Sequence, residues 1–84
     1  MRNAAPPTDS PHTSYTQRLL SDRNLRLKKL AEEAGELAVA CADEDSARAT
    51  EEAADLFYHA LVALRALHVG LADVQRTLDE RASR

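Results

Sequence analysis

The chain has 84 residues, of which 44% are hydrophobic but only 4% aromatic, with no Trp and only two Gly. A chain of this length forms at most one small domain, and its abundance of Ala, Leu, Glu and Arg favours helices. The net charge of −3 and the pI of about 5.5 argue against general nucleic-acid binding, which requires a basic surface.

The cysteine content and the apolar runs predict the compartment. Cys41 is the only cysteine, so no internal disulfide can form, as is usual in a reducing cytosol. No apolar run approaches the roughly 20 residues needed to span a bilayer. Met1-Arg2-Asn3 leads into prolines instead of a hydrophobic segment, which argues against a secretory signal. We expect a cytoplasmic protein that does not bind membranes.

The N-terminal residues differ from the rest of the chain. Residues 1–13 contain all three prolines and show no periodicity, which predicts a flexible tail. Residues 14–84 form the predicted domain. Within it, Ser14 followed by Gln17 resembles a capping box that opens a short helix.

A longer helix is predicted next, with Ser21 or Asp22 as its N-cap and its end near Ala42. Its apolar residues recur at steps of three and four and form one stripe. Cys41 lies on this stripe, where we expect a small buried side chain and not a nucleophile. The stripe consists of Leu27, Leu30, Ala34, Leu37 and Cys41.

Another helix is predicted from about Ser46 to His68, after a polar turn, with Gly70 as its C-cap. Phe57 and Leu61 extend its apolar surface well beyond the main stripe. One partner helix cannot bury so wide a surface, so the pattern predicts an all-α antiparallel helical bundle completed by homodimerisation. A short amphipathic helix follows the glycine.

Two acidic clusters lie inside these helices, with Glu32, Glu33 and Glu36 in one and Glu52 and Asp55 in the other. Carboxylates three residues apart share one side of a helix and repel each other unless a cation neutralises them. Mg²⁺ prefers oxygen ligands and often keeps substrate phosphates in its shell. Two such pairs on helices joined by a short turn therefore predict a Mg²⁺ site formed by Glu33, Glu36, Glu52 and Asp55.

Other side chains near these clusters are candidates for catalysis. Lys29 could offer a positive charge to phosphate oxygens, and His59 could hydrogen-bond a phosphate, a ribose or a metal-bound water. Simpler interpretations stay open: a single acidic pair is often only a solvated helix face, and Lys29 can pair with Glu33. His59 is more often a hydrogen-bonded interfacial histidine than a catalyst, and we expect Tyr58 to pack in a dimer with its hydroxyl at the edge.

Three segments stand out together: Ser14-Tyr15-Thr16, Lys29-Leu-Ala-Glu-Glu-Ala-Gly-Glu-Leu37 and Glu52-Ala-Ala-Asp-Leu-Phe-Tyr-His59. Their combination resembles the phosphoribosyl-ATP pyrophosphohydrolase family, and the similarity extends over about residues 14–81. The resemblance implies Mg²⁺-dependent hydrolysis of phosphoribosyl-ATP to phosphoribosyl-AMP and pyrophosphate, in histidine biosynthesis, by a homodimer or higher oligomer.

The resemblance also assigns roles to residues. It implies Glu33, Glu36, Glu52 and Asp55 as metal ligands, and it matches Glu32 to an additional acidic residue that binds metal or orients water. Glu32 joins Lys29 and His59 as the predicted catalytic residues. Two alternatives remain, which are a MazG-like pyrophosphohydrolase of free nucleoside triphosphates and a non-catalytic helical dimer.

Overall fold

Four α-helices make up the part of the chain that the structure describes. A computed structural model describes residues 11–83, with side chains from residue 14 onward. Its helices are α1 (Pro11–Ser21), α2 (Arg23–Ala42), α3 (Ser46–Arg65) and α4 (Leu71–Ala82). The described residues contain no strand, so the predicted all-α class is confirmed. Of the predicted tail, residues 1–10 lie outside this range.

Helix α1 begins at Pro11, earlier than the predicted start at Ser14. Proline is common at the first helical position because the backbone N–H there makes no intrahelical hydrogen bond, so nothing is lost when proline lacks it. Ser14 therefore lies inside the helix, and the predicted capping box of Ser14 and Gln17 is wrong. At the other end of α1, Arg26 of α2 donates from Nη1 to the carbonyl oxygen of Leu19 at 2.9 Å, which satisfies a carbonyl of the last turn.

Helices α2 and α3 form an antiparallel hairpin that carries both acidic clusters. Asp22 and Asp45 cap the two helices, and each carboxylate accepts a first-turn backbone N–H at 3.0 Å. The connection is tight because Glu44 adopts a left-handed conformation, with φ of 55°. This lets the N–H of Asp45 return to the carbonyl of Ala40 at 3.1 Å, which closes the end of α2.

Helix α3 ends at Arg65, before the end predicted at His68. His68 has φ of 61°, and the N–H of Val69 reaches back to the carbonyl of Leu64 at 3.0 Å. His68 thus takes the left-handed position that usually favours glycine. The prediction of Gly70 as the C-cap is wrong, because Gly70 has a negative φ of −106° and is the N-cap of α4.

The start of α4 is held by a side chain and not by packing. Asp73 accepts from the N–H of Gly70 at 2.9 Å and from Arg76 at 2.6 Å. These two contacts, the backbone bond first, hold the pKa of Asp73 below its ordinary value. Helix α4 contacts the other three helices very little, whereas α1, α2 and α3 contact one another.

The hydrophobic core of the described residues is small. Leu19 and Ala40 are fully buried, and Val62 is 6% exposed. Cys41 is exposed, so its predicted burial is wrong, and the described residues leave part of the α2 stripe uncovered. The described helices are all too short or too polar to cross a membrane. Large apolar side chains remain exposed at Leu27, Val39, Phe57, Leu61, Leu67, Leu71 and Leu78.

Candidate metal centre

Three carboxylates from α2 and α3 converge on one point of the hairpin. Glu33, Glu36 and Glu52 each offer an oxygen, and these oxygens all lie within 4.8 Å of one another. The hairpin explains the match, because Glu36 lies six residues before Ala42, where α2 ends, and Glu52 lies six residues after Ser46, where α3 begins. Glu33 is one helical turn from Glu36 and points to the same side.

The charges in this cluster repel each other. Burial and the neighbouring carboxylates, with Glu36 first among them, raise the pKa of Glu52 above its ordinary value. Glu33 is only 6% exposed, and a buried carboxylate is costly unless it is paired. The raised pKa of Glu52 and the burial of Glu33 both indicate negative charge that the described side chains neutralise only in part.

The donor set fits a hard divalent cation. Carboxylate oxygens are the ligands that Mg²⁺ prefers, and an exposed Glu36 beside a half-buried Glu52 leaves one side open for water or substrate oxygens. The three converging ligands are all carboxylate oxygens, a donor type that suits Mg²⁺, whereas Zn²⁺ sites are typically built from imidazole and thiolate ligands.

Asp55, the fourth predicted ligand, lies at the edge of the site. It is exposed and is not one of the three described residues whose oxygens converge. Its charge is close enough to contribute to the raised pKa of Glu52. The structure thus brings three of the four predicted ligands together and leaves Asp55 one turn further along α3.

Lys29 and Glu32 lie on the α2 side of the cluster. The Lys29 Nζ is 3.5 Å from Oε1 of Glu32 and 3.6 Å from Oε2 of Glu33. Burial alone would lower the pKa of the Lys29 ammonium, but Tyr15 and the two carboxylates outweigh burial and raise the pKa. Glu32 is exposed and also pairs with Lys28 at 4.0 Å, so it belongs to the rim of the site.

His59 is buried beside the cluster, where α1 meets α3. Its Nε2 lies 2.7 Å from the hydroxyl of Tyr15, and its Nδ1 lies 2.7 Å from the backbone carbonyl oxygen of Asp55. The Tyr15 ring also meets the imidazole edge-on, with centroids 5.6 Å apart. The interpretation of His59 as a histidine satisfied by hydrogen bonds therefore matches its surroundings.

Tyr15 had no predicted role in the site, and its pairing with His59 spans 44 residues. Helical periodicity reports contacts within a helix and could not have found it. Tyr58, expected at a dimer edge, is half-buried, stacks on Tyr15 at 6.2 Å and hydrogen-bonds Thr16 through its hydroxyl. These contacts lie where the start of α1 meets α3.

Comparison with known proteins gives one consistent family. The family described as phosphoribosyl-ATP pyrophosphohydrolase matches residues 4–82. A phosphoribosyl-ATP pyrophosphatase of Methanoregula boonei is 49% identical over 71 residues, which cover 81% of this chain and 68% of that protein. A phosphoribosyl-ATP pyrophosphatase of Nitrosospira multiformis is 45% identical over 72 residues, covering 84% of this chain and 60% of its own length.

A longer relative shows the same segment within a larger protein. The histidine biosynthesis bifunctional protein HisIE of Synechocystis sp. is 48% identical over 69 residues, which cover 81% of this chain but only 32% of that protein. The chain thus spans about two thirds of the length of the two phosphoribosyl-ATP pyrophosphatases and about a third of the length of the bifunctional protein. Since the family match extends over nearly the whole chain, the protein belongs to the phosphoribosyl-ATP pyrophosphohydrolase family.

Proposed function

We propose that the protein hydrolyses phosphoribosyl-ATP to phosphoribosyl-AMP and pyrophosphate in histidine biosynthesis, with Mg²⁺ as cofactor. The observation that carries this proposal is the convergence of Glu33, Glu36 and Glu52 in a chain that the family matches over residues 4–82. The names of the relatives from Methanoregula boonei and Nitrosospira multiformis support the substrate.

The residues of the site have separate proposed roles in binding the metal and the phosphate. Glu33, Glu36 and Glu52, with Asp55 at the edge, would hold the Mg²⁺. The bound cation would supply charge neutralisation and polarisation of a phosphorus–oxygen bond. Lys29, whose Nζ lies 3.6 Å from Oε2 of Glu33, would offer its ammonium to a phosphate oxygen of the substrate.

The attacking water needs an acceptor on the open side of the cluster. Glu32 is exposed, carries a carboxylate at the rim and shares the Lys29 ammonium with Glu33. A carboxylate in that position can orient a water molecule toward a phosphate bound at the cluster. His59 has a supporting role in the site, because its ring nitrogens are hydrogen-bonded to the Tyr15 hydroxyl and the Asp55 carbonyl.

The substrate is tested by steady-state turnover of phosphoribosyl-ATP beside a panel of ordinary nucleoside triphosphates, with and without Mg²⁺. We expect kcat/KM for phosphoribosyl-ATP to exceed that for any triphosphate by at least about 100-fold, since binding energy from the extra phosphoribosyl group can be used in the transition state. Activity should disappear when the metal is chelated. Preference for a free triphosphate would instead assign the protein to the MazG-like alternative.

We also propose that the active form is a homodimer whose interface includes α3. The described chain leaves Phe57 65% exposed and Leu61 42% exposed on this helix, one turn apart. Leu71 and Leu78 of α4 are also exposed, and α4 has little contact with its own chain. Exposed apolar side chains on neighbouring helices mark an interaction surface, and a second copy offers a matching one.

Phe57→Glu is expected to dissociate the dimer, raising its dissociation constant by about 100-fold or more. A twofold interface loses the burial of two phenylalanines, each worth roughly 1.5–3 kcal/mol. Sedimentation equilibrium over a range of concentrations measures this. Gln17→Glu adds the same charge at an exposed position of α1 and is the control. A wild type that sediments as a monomer at high concentration contradicts the proposal.

The reaction is proposed to take place in the cytoplasm. Cys41 is a free, exposed thiol, which suits a reducing compartment.

A further inference from the structure

The hydrogen bonds of His59 define which ring nitrogen carries the proton. A backbone carbonyl can only accept, so the Nδ1 that lies 2.7 Å from the Asp55 carbonyl oxygen must donate. In the singly protonated imidazole, Nε2 is then an acceptor, and the Tyr15 hydroxyl at 2.7 Å is its donor. His59 is only 7% exposed, so water has little access to replace either partner.

Tyr15 connects this histidine to the other side of the metal centre. Its oxygen is close enough to the Lys29 ammonium to raise the pKa of that group, and Lys29 lies 3.6 Å from Glu33. A path of two hydrogen bonds therefore runs from the carbonyl of Asp55 on α3, through His59, to Tyr15. Tyr15 is the only member of this path that lies on α1.

We propose that Tyr15 is a positioning residue for the metal centre: its hydroxyl bonds Nε2 of His59 while the Asp55 carbonyl bonds Nδ1, and the two bonds together hold the imidazole ring and the turn of α3 from Asp55 to His59 in place. This inference rests on the proposed function, because it assigns Tyr15 a part in the same site. It also gives His59 a supporting role, since its Nε2 is engaged by Tyr15 and not directed at a substrate.

The hydroxyl of Tyr15 can be removed without removing the ring. Phenylalanine at this position keeps the stacking on Tyr58 and the edge contact with the imidazole. It leaves Nε2 of a buried histidine without a donor, and an unsatisfied buried acceptor favours a movement of the imidazole ring. His59 is the group that contacts the proposed ligand Asp55, and the loss of such a partner typically changes metal affinity or activity by 10–100-fold.

Tyr15→Phe is therefore compared with Tyr58→Phe, which removes a hydroxyl from the neighbouring aromatic ring, where that hydroxyl bonds Thr16. We expect Tyr15→Phe to weaken Mg²⁺ binding in calorimetry and to lower kcat by about 10-fold or more, with KM changed less. In the metal-free protein, the Nε2 ¹⁵N signal of His59 should shift, because Nε2 loses its hydrogen-bond donor. We expect Tyr58→Phe to leave the ¹⁵N signals unchanged and kcat within about twofold of wild type.

A double variant tests whether Tyr15 acts through His59. If it does, Tyr15→Phe should have little further effect on kcat in a His59→Ala background, because the two residues act as one unit. The proposal is overturned by unchanged ¹⁵N signals in Tyr15→Phe, by a kcat loss no larger than in Tyr58→Phe, or by additive losses in the double variant. If the wild type neither binds Mg²⁺ nor hydrolyses phosphoribosyl-ATP, the proposed function itself is wrong. If the wild type is active and Tyr15→Phe behaves like it, only the inference about Tyr15 is wrong.

Discussion

Glu52→Gln is expected to lower kcat/KM for phosphoribosyl-ATP by at least about 100-fold, yet to raise the melting temperature of the metal-free protein at pH 7. Activity falls because the variant loses one of the three carboxylates whose oxygens lie within 4.8 Å of one another. Stability rises because the amide keeps the size of the side chain and removes a charge that faces Glu36 and Glu33.

The pH dependence of this stability gain follows from the raised pKa of Glu52. In the folded protein burial and the neighbouring carboxylates disfavour the ionised form, so the pKa lies above the ordinary value of 4.5. The ionised carboxylate therefore reduces stability at neutral pH, and the reduction is relieved as the pH falls through the folded pKa toward 4.5. The difference in melting temperature between Glu52→Gln and wild type should shrink over that range.

Thermal denaturation with and without Mg²⁺ measures both effects. Wild type should gain stability on adding Mg²⁺, because a ligand that binds the folded state raises the melting temperature, and Glu52→Gln should gain much less. Glu51→Gln is the matched control, since it removes the same charge from the neighbouring exposed position, outside the cluster. Equal behaviour of the two variants would contradict the metal centre.

Leu19→Ala is expected to destabilise the protein by about 2–5 kcal/mol. Leu19 is fully buried and anchors α1 against the hairpin. Truncation removes apolar contact and leaves a cavity that the short helix α1 can fill only by shifting. Because a domain of this length has a total stability of roughly 4–12 kcal/mol, the loss is a large fraction.

Urea denaturation at one fixed protein concentration measures the change, since a dimer would make stability depend on concentration. Gln17→Ala lies on the same helix at an exposed position and should change stability by less than about 0.5 kcal/mol. If Leu19→Ala lowers the free energy of unfolding by as little as Gln17→Ala does, α1 is not part of the folded core.

The meeting of the two acidic clusters was predictable because local rules determine it. Helical periodicity placed Glu33 and Glu36 on one side of α2, and the polar turn before Ser46 implied a hairpin. Those two rules suffice to bring Glu52 opposite Glu36. They do not decide how an exposed side chain such as Asp55 is oriented, and its part in the site stays a prediction.

The errors came from contacts that no local rule reports. Glycine is the usual residue for a left-handed helix end, but His68 occupies that position and Gly70 caps the next helix instead. Cys41 lies on an apolar stripe, yet the described chain supplies no neighbour to cover it. The pairing of Tyr15 with His59 depends on how α1 docks, which periodicity within a helix cannot reveal.

The hairpin also has a consequence for the order of folding. The carboxylates of Glu33 and Glu52 are nineteen residues apart, whereas the bond between Tyr15 and His59 spans 44 residues. Contacts between residues close in sequence form first because they close shorter loops. We therefore expect the hairpin, with its crowded charges, to be present in the folding transition state, and α1 to dock afterwards. A cation that relieves those charges would then mainly speed folding, while the packing of Leu19 would mainly slow unfolding.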